Sequence, residues 1–259
     1  KNFAVLEEIA AFSSQTSGVI GFVDRKNDSH NQDNNKRTIA NAAAIVQNGD
    51  VRGIYHKSFL PNYSVFDEAR YFSKGTEPNT LFWYDDIAIG INICEDIWIE
   101  DGPAEEQVKQ GASLIININA SPYDIHKSET RKEIVMKKAL KLNVPIIYLN
   151  MVGGQDELVF DGGSFVVNDL GEIIYQASSF KEEVFHLDID LKTNKQNDKS
   201  PLIIRPKTIE LKDVESKASL SKNESIYSAL KLGLKDYVRK NKFTKVLIGI
   251  SGGIDSALT

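Results

Sequence analysis

The chain has 259 residues, a formal net charge of −5, 41% hydrophobic and 26% charged residues, and one cysteine. This composition excludes disordered, collagen-like and coiled-coil proteins, and one cysteine excludes an internal disulfide. No apolar run approaches the roughly 18 residues of a membrane span, and no basic stripe indicates a nucleic-acid partner. We therefore expect a cytoplasmic protein that binds neither membrane nor nucleic acid and has a substantial core.

Both ends of the sequence read as interrupted elements. There is no initiator Met, and Phe3, Leu6 and Ile9 already follow the spacing of an amphipathic helix. At the other end, a predicted buried strand at 244–250 is followed by a Gly-rich turn, and the sequence stops soon after it. We therefore expect a fragment that is truncated at both ends.

The predicted elements are those of an α/β protein. A strand at 18–24 and a polar loop at 24–37 precede a hairpin, in which Asn48-Gly49-Asp50 joins apolar runs at 38–47 and 51–57. The later predicted elements are a hairpin at 81–84 and 87–93, a helix bracketed by Pro103 and Gly111, a strand at 114–119, a helix with a Thr130/Glu133 capping box, a strand at 145–152, paired strands at 164–167 and 173–175, and an alternating strand at 185–189. Together they predict a mixed sheet covered by helices.

The composition changes after Asp190. Residues 191–223 are rich in Lys, Asn, Asp and Ser and predict a linker. Residues 224–240 then predict a helix whose apolar stripe consists of Ile226, Leu230, Leu234, Tyr237 and Val238. We predict a first domain at 1–190, a linker at 191–223 and the start of a second domain at 224–259.

Cys94 is the first candidate for chemistry, because it lies at the end of a predicted buried strand, before Glu95 and Asp96. A lone cysteine is commonly a small buried apolar residue. A nucleophilic role requires an activating partner, since the thiolate is the reactive form. The residues alone leave open a Cys–His arrangement, for instance with His56, or a set built from a Lys and carboxylates.

Four sequence blocks, at 56–72, 92–98, 119–123 and 152–164, resemble the nitrilase (carbon–nitrogen hydrolase) family in the expected order. The resemblance covers roughly residues 1–190 and implies an α-β-β-α sandwich with a Glu–Lys–Cys catalytic set. It implies that Cys94 is the nucleophile, Lys57 the catalytic lysine and Glu68 a supporting carboxylate. No residue matches the general-base Glu of the family, and Glu7 and Glu8 lie in a helical pattern that makes them poor substitutes.

A second motif lies at the end of the sequence. A Gly-rich turn between a strand and a helix directs backbone N–H groups at an anion. This turn lacks the Gly-Lys-Ser/Thr of a Walker A loop and resembles the pyrophosphate-binding loop of ATP pyrophosphatases, which implies a Rossmann-like parallel sheet. The residues of the motif are Ser251, Gly252, Gly253, Asp255 and Ser256.

The combination of the two motifs resembles the glutamine-dependent NAD synthetases. It implies glutamine, deamido-NAD and ATP as substrates, Mg²⁺ at the ATP step, and a homo-oligomer. No bound metal is expected in the first domain, since no cluster of His, Cys and Asp has the spacing of metal ligands. Ammonia released from glutamine would amidate adenylated deamido-NAD. The residues expected to bind glutamine are Tyr63 as a pocket wall, Ser121 and Arg131 at its α-amino and α-carboxylate ends, and Glu157 in a lesser role.

Three other functions remain open on the sequence. The first is a stand-alone amidase of the nitrilase family, which would have no need of a pyrophosphate loop. The second is a glutaminase that supplies a different adenylating synthetase. The third is a binding or regulatory domain whose glutaminase site is inactive because the general-base Glu is missing.

Overall fold

The computed structural model describes residues 2–14, 16–25, 39–78, 80–191 and 216–259. Most of the predicted polar loop at 24–37 and most of the predicted linker lie outside these residues. The strands are β1 (Ser17–Arg25), β2 (Ile39–Gln47), β3 (Asp50–His56), β4 (Leu81–Tyr84), β5 (Ile87–Ile93), β6 (Leu114–Asn119), β7 (Ile146–Asn150), β8 (Val152–Gln155), β9 (Leu158–Asp161), β10 (Phe165–Val167) and β11 (Ile173–Gln176). The helices are α1 (Asn2–Ala10), α2 (Glu68–Tyr71), α3 (Pro103–Lys109), α4 (Lys127–Leu142), α5 (Lys222–Lys240) and α6 (Ile254–Leu258).

The described strands form two larger sheets and one small hairpin. The first sheet is antiparallel, in the order β1-β2-β3, and the second has the order β11-β10-β7-β6-β5-β4. Strands β5, β6 and β7 are parallel to one another, whereas the strands outside them pair antiparallel. The carboxyl ends of the three parallel strands therefore meet at one edge, where α/β proteins place reactive groups.

The layers follow the order helix, sheet, sheet, helix. Helix α1 packs on the outer face of the three-stranded sheet, the two sheets pack face to face, and α3 and α4 cover the six-stranded sheet. Three buried clusters define these interfaces: the first contains Leu6 and Ala44, the second Tyr55 and Ile91, and the third Val135 and Ile146. The predicted α-β-β-α sandwich is confirmed.

Both early hairpins form as predicted. Asn48 and Gly49 both have positive φ, 52° and 84°, which is the backbone of a two-residue turn whose twist matches the flanking strands. Asp85 at the second turn also has a positive φ, of 51°. Asn and Asp tolerate this conformation better than most residues with a Cβ, because their short polar side chains hydrogen-bond locally.

Three local predictions were wrong. Helix α4 begins at Lys127, so Thr130 and Glu133 lie inside it, and the Thr130 hydroxyl donates to the His126 carbonyl. Residues 185–189 keep their alternating burial but are not a strand, because side-chain packing against the sheet replaces ladder hydrogen bonds. Residues 244–250 are exposed, and they form neither a strand nor a pairing with a strand of the described residues.

Helix α5 forms as predicted, but it buries a different face. Leu230, Leu234 and Tyr237 of the predicted stripe are more than half exposed. The helix contacts the β8–β9 hairpin instead, through a row of small residues in which Ala229 is buried. A Cβ added to Gly154 of the hairpin would lie 3.0 Å from the Cα of Gly233, so glycine is required for this close approach.

Candidate active site

Cys94 lies directly after β5, at the edge where the parallel strands end. It begins a 3₁₀ turn that runs from Cys94 to Trp98, and its φ is +46°, in the left-handed region. A residue with a Cβ adopts this conformation only when its surroundings hold it, and such strain is common at functional sites. Desolvation raises the pKa of the Cys94 thiol, and the nearby Lys57 charge acts in the opposite direction.

Lys57 and Glu68 form an ion pair beside this thiol. The Lys57 ammonium donates to both carboxylate oxygens of Glu68, at 2.7 and 2.8 Å. The Lys57 side chain is fully buried and that of Glu68 is 20% exposed, so the pair is shielded from water on the lysine side. The structure therefore brings together the three residues Cys94, Lys57 and Glu68, which the sequence placed in one catalytic set.

Two cavities meet at Cys94. The first, of about 510 Å³, is lined by Lys57, Glu68, Cys94 and the ends of β6 and β7, and we call it the Lys57 cavity. The second, of about 280 Å³, is lined by Tyr63, Glu95, Ser121 and Lys127 as well as Cys94, and we call it the Tyr63 cavity. The thiol is therefore accessible from a site that also carries several polar side chains.

Charges of both signs line the Tyr63 cavity. The Tyr63 hydroxyl donates to the two carboxylate oxygens of Glu95, at 2.9 and 2.8 Å, and partial burial together with this bond raises the pKa of Tyr63 to about 12. The Lys127 ammonium lies 5.3 Å from the centre of the Phe66 ring. Among the described residues, none is within hydrogen-bonding or ion-pair distance of that ammonium. Desolvation and the charge of Arg131 lower the pKa of Lys127.

Arg131 lies close to the Tyr63 cavity but is not part of its lining. Its guanidinium donates twice to Asp161, twice to the carbonyls of Ser121 and Pro122, and once to the Ser121 hydroxyl. These bonds use all five N–H donors of an arginine, and the side chain is only 3% exposed. In this geometry Arg131 has no donor left for a ligand and instead holds the segment that carries Ser121.

The remaining predicted residues lie away from Cys94. Glu157 is exposed at the turn between β8 and β9 and lines neither cavity, because that hairpin projects toward α5. The Gly-rich motif is exposed, with Gly252 at a φ of +85° and the Ser251 hydroxyl hydrogen-bonded to that of Ser256. None of its residues lines the Lys57 cavity or the Tyr63 cavity.

Glu95 and Lys127 were missed by the sequence reasoning. The available signal was their position, since Glu95 follows the candidate nucleophile and Lys127 lies six residues after Ser121.

Within the described part of the chain, no group of three His, Cys, Asp or Glu residues could hold a metal ion. In the same residues, no helix is long and apolar enough to cross a membrane.

Comparison with known proteins identifies the class to which this fold and site belong. The carbon–nitrogen hydrolase family model matches residues 5–197, so the chain belongs to that family. The NAD synthase family model matches residues 226–259.

More specific similarity is to glutamine-dependent NAD(+) synthetases. The chain is 42% identical to that of Aquifex aeolicus over an alignment of 233 residues that covers 84% of this chain and 41% of the relative. It is 41% identical to that of Thermotoga maritima over 258 residues, covering 93% of this chain and 43% of the relative. The solved structure of the glutamine-dependent NAD+ synthetase from Acinetobacter baumannii in complex with ADP matches with a TM-score of 0.78 and 36% identity, over 98% of this chain and 44% of that one. The chain thus spans less than half the length of these relatives.

Proposed function

We propose that this chain is the glutaminase part, with a segment of the synthetase part, of an enzyme that makes NAD from deamido-NAD with glutamine as nitrogen donor. The observation that carries the proposal is the Tyr63 cavity, which presents the Cys94 thiol, the Glu95 carboxylate and the Lys127 ammonium to one ligand. Glutamine carries an amide, an α-ammonium and an α-carboxylate. A simple amide would leave both charges without a partner.

In the proposed reaction, Cys94 attacks the carboxamide carbon of glutamine. The new C–S bond gives a tetrahedral intermediate, the C–N bond then breaks, and ammonia leaves a γ-glutamyl thioester that water hydrolyses to glutamate. The buried Lys57 ammonium and a backbone N–H would stabilise the negative carbonyl oxygen. One such donor typically contributes about 2.7–4 kcal/mol to the transition state. Glu68 holds Lys57 in place through two hydrogen bonds.

Recognition of the two ends of glutamine is assigned by charge. We propose that Glu95, oriented by the Tyr63 hydroxyl, binds the α-ammonium, and that Lys127 binds the α-carboxylate with Ser121 beside it. Lys127 replaces Arg131 in this role, because the donors of Arg131 are already engaged by Asp161 and by the Ser121 segment. Glu157 is given no role in this pocket.

The group that takes the proton of the thiol and returns it to the leaving nitrogen, so that ammonia departs, lies outside these assignments. No residue of this sequence matches the general-base Glu of the family, and the Glu68 carboxylate is engaged by Lys57. We propose that the whole protein supplies this base from polypeptide outside the 259 residues, since the relatives are more than twice as long.

The synthetase role rests on the match of residues 226–259 to the NAD synthase family. We propose that the loop from Ser251 to Ser256 binds the pyrophosphate of ATP through backbone N–H groups. Mg²⁺ would neutralise charge on the phosphates at that step, but the described residues contain no acidic cluster to hold it, so no residue is assigned to the ion. The family resemblance adds three further points to this proposal. The chain would consist of domains at 1–190 and 224–259 joined by a linker at 191–223. The protein would form a homo-oligomer and would be located in the cytoplasm.

The test uses the whole protein with ATP, Mg²⁺ and deamido-NAD, and follows NAD formation with glutamine or ammonium. We expect wild type to use both nitrogen sources and Cys94→Ala to use ammonium alone. If wild type forms no NAD from either source, the synthetase assignment is wrong and the amidase alternative takes its place. If Cys94→Ala still uses glutamine, Cys94 is not the nucleophile.

A further inference from the structure

A completely buried carboxylate lies beneath the candidate nucleophile. Asp96 is 0% exposed, two residues after Cys94 in the 3₁₀ turn, and it lines neither the Lys57 cavity nor the Tyr63 cavity. Its Oδ1 accepts the backbone N–H groups of Ser58 and Phe59, at 3.2 and 2.9 Å. Its Oδ2 accepts the Ile93 N–H at 3.1 Å and the Tyr55 hydroxyl at 2.9 Å. Four donors, three from residues 55–59 and one from Ile93, therefore converge on one side chain.

Three of these donors are next to Lys57 and Cys94 in the sequence, or one residue further along, and these two are the proposed catalytic residues. Ser58 and Phe59 directly follow Lys57, and Ile93 directly precedes Cys94. The two segments belong to different sheets, one following β3 and the other following β5. Among the described side chains, Asp96 is the one that bonds to both segments, so it links the position of the lysine to that of the thiol.

An ionised carboxylate is well suited to this task, since it accepts hydrogen bonds at both oxygens and donates none. Desolvation raises the pKa of Asp96 to about 6, while its hydrogen bonds and the charge of Lys57 act in the opposite direction. All four of its contacts are hydrogen bonds that the carboxylate accepts, which suits the ionised form. An asparagine would turn an N–H donor toward the Ile93 N–H or toward the Ser58 and Phe59 N–H pair.

We propose that Asp96 is a positioning residue for amide hydrolysis, which holds Cys94 in its left-handed conformation and sets its place relative to Lys57. This inference rests on the proposed glutaminase function. It predicts a loss in kcat with little change in the glutamine KM, because the residues that would bind glutamine lie in a cavity that Asp96 does not line.

The experiment compares Asp96→Asn with Glu105→Gln in the whole protein. Glu105 is a matched control, because it is also a buried carboxylate, bonded to Lys138 Nζ and the Gly102 N–H, and it lines neither cavity. Per folded molecule, we expect Asp96→Asn to lower the kcat of glutamine hydrolysis about 100-fold, as displacement of a reacting group by about 1 Å can do. Glu105→Gln should leave kcat unchanged.

A milder variant covers the case in which Asp96→Asn does not fold. Tyr55→Phe removes one of the four donors and keeps the carboxylate, so we expect kcat to fall about 2- to 10-fold with KM retained. An unchanged kcat in the folded variants overturns the proposal, and so does an equal loss in Glu105→Gln.

A crystal structure of the variant provides a readout that does not depend on the reaction. The proposal expects Cys94 to leave its positive φ in Asp96→Asn, and an unmoved Cys94 and Lys57 would overturn it. Failure of the proposed function is a separate result, because it appears as wild-type protein that makes no NAD from glutamine.

Discussion

Two cations close to Cys94 differ in what surrounds them, and this difference sets their roles. Arg131 is enclosed by Asp161 and two carbonyls, whereas Lys127 lines a cavity with the Phe66 ring as its neighbour. A guanidinium with all its donors engaged stabilises the fold, and an ammonium that forms no ion pair with the described residues is available to a ligand carboxylate.

Substitution of each cation by methionine should separate these roles. We expect Lys127→Met to raise the glutamine KM about 10- to 100-fold without loss of stability, since a hydrogen bond to a charged group contributes about 1.5–3 kcal/mol. Arg131→Met should lower the free energy of unfolding by about 3–5 kcal/mol, because it leaves Asp161 buried without its partner. Steady-state kinetics and urea denaturation measure the two effects, and Lys127→Arg serves as the charge-retaining control. The reverse pattern would restore Arg131 as the ligand of the carboxylate.

The reactivity of Cys94 should follow the charges beside it. Burial raises the pKa of the thiol above its ordinary value of 9.0, Lys57 lowers it and Glu68 raises it. The thiolate is the form that reacts with iodoacetamide, so alkylation should be slow at neutral pH and should accelerate as the pH rises toward and beyond 9. Lys57→Met should move this profile to higher pH, and Glu68→Gln should move it to lower pH.

Mass spectrometry of the peptide that contains Cys94 provides the measurement for this titration. Wild-type protein unfolded in urea is the reference, because its thiol should titrate near the ordinary value. Profiles that coincide for wild type, Lys57→Met and Glu68→Gln would show that Lys57 does not face the thiol.

Helix α5 contacts the β8–β9 hairpin, and the last residue of that hairpin, Asp161, bonds to Arg131 near the candidate active site. Its Asp236 carboxylate accepts the Gly154 N–H at 2.8 Å, and its Lys240 ammonium donates to the Gly154 carbonyl. The Ser225 hydroxyl is 2.9 Å from that of Tyr123, two residues beyond Ser121. At its far end, the β8–β9 hairpin supplies Asp161, the partner of Arg131.

Removal of the Asp236 carboxylate should loosen the hairpin. In Asp236→Ala, the Gly154 N–H loses its acceptor, and an unpaired buried group costs about 1–3 kcal/mol. We expect amide hydrogen exchange across 152–161 to become about 10-fold faster or more, while exchange in β5 and β6 stays unchanged. Lys235→Ala, at the exposed neighbouring position, is the control. Equal exchange in both variants would show that α5 does not rest on the hairpin.

The elements also show where sequence patterns are ambiguous. Thr130 and Glu133 fit a capping box, yet α4 begins one turn earlier, because the segment before it is held by Tyr123 and Arg131 contacts that no local pattern contains. On α5, the apolar stripe predicted the helix correctly and its buried face wrongly. Close packing against Gly154 favours small residues, and hydrophobicity alone does not reveal such a requirement.

For the molecule as a whole, the sandwich explains how distant segments come to share one site. Lys57 follows a strand of the three-stranded sheet, and Cys94 follows a strand of the other. The sheets pack face to face through residues such as Tyr55 and Ile91, which places the two strand ends side by side. The Asp96 carboxylate then bonds to both ends.

The resemblance of four sequence blocks to the carbon–nitrogen hydrolase family implied the set of Cys94, Lys57 and Glu68. The amino-acid sequence by itself determined the α/β class, the hairpin at Asn48-Gly49 and most strands. These features depend on local periodicity, turn chemistry and motif order, which are properties of neighbouring residues. Tertiary structure decided which charges are available. Arg131 and Lys127 look equivalent in the sequence, and only packing shows that Asp161 engages one while the other lines the cavity. The pKa of Asp96 and the face of α5 that is buried depend in the same way on groups far along the chain, whose distances no local pattern specifies.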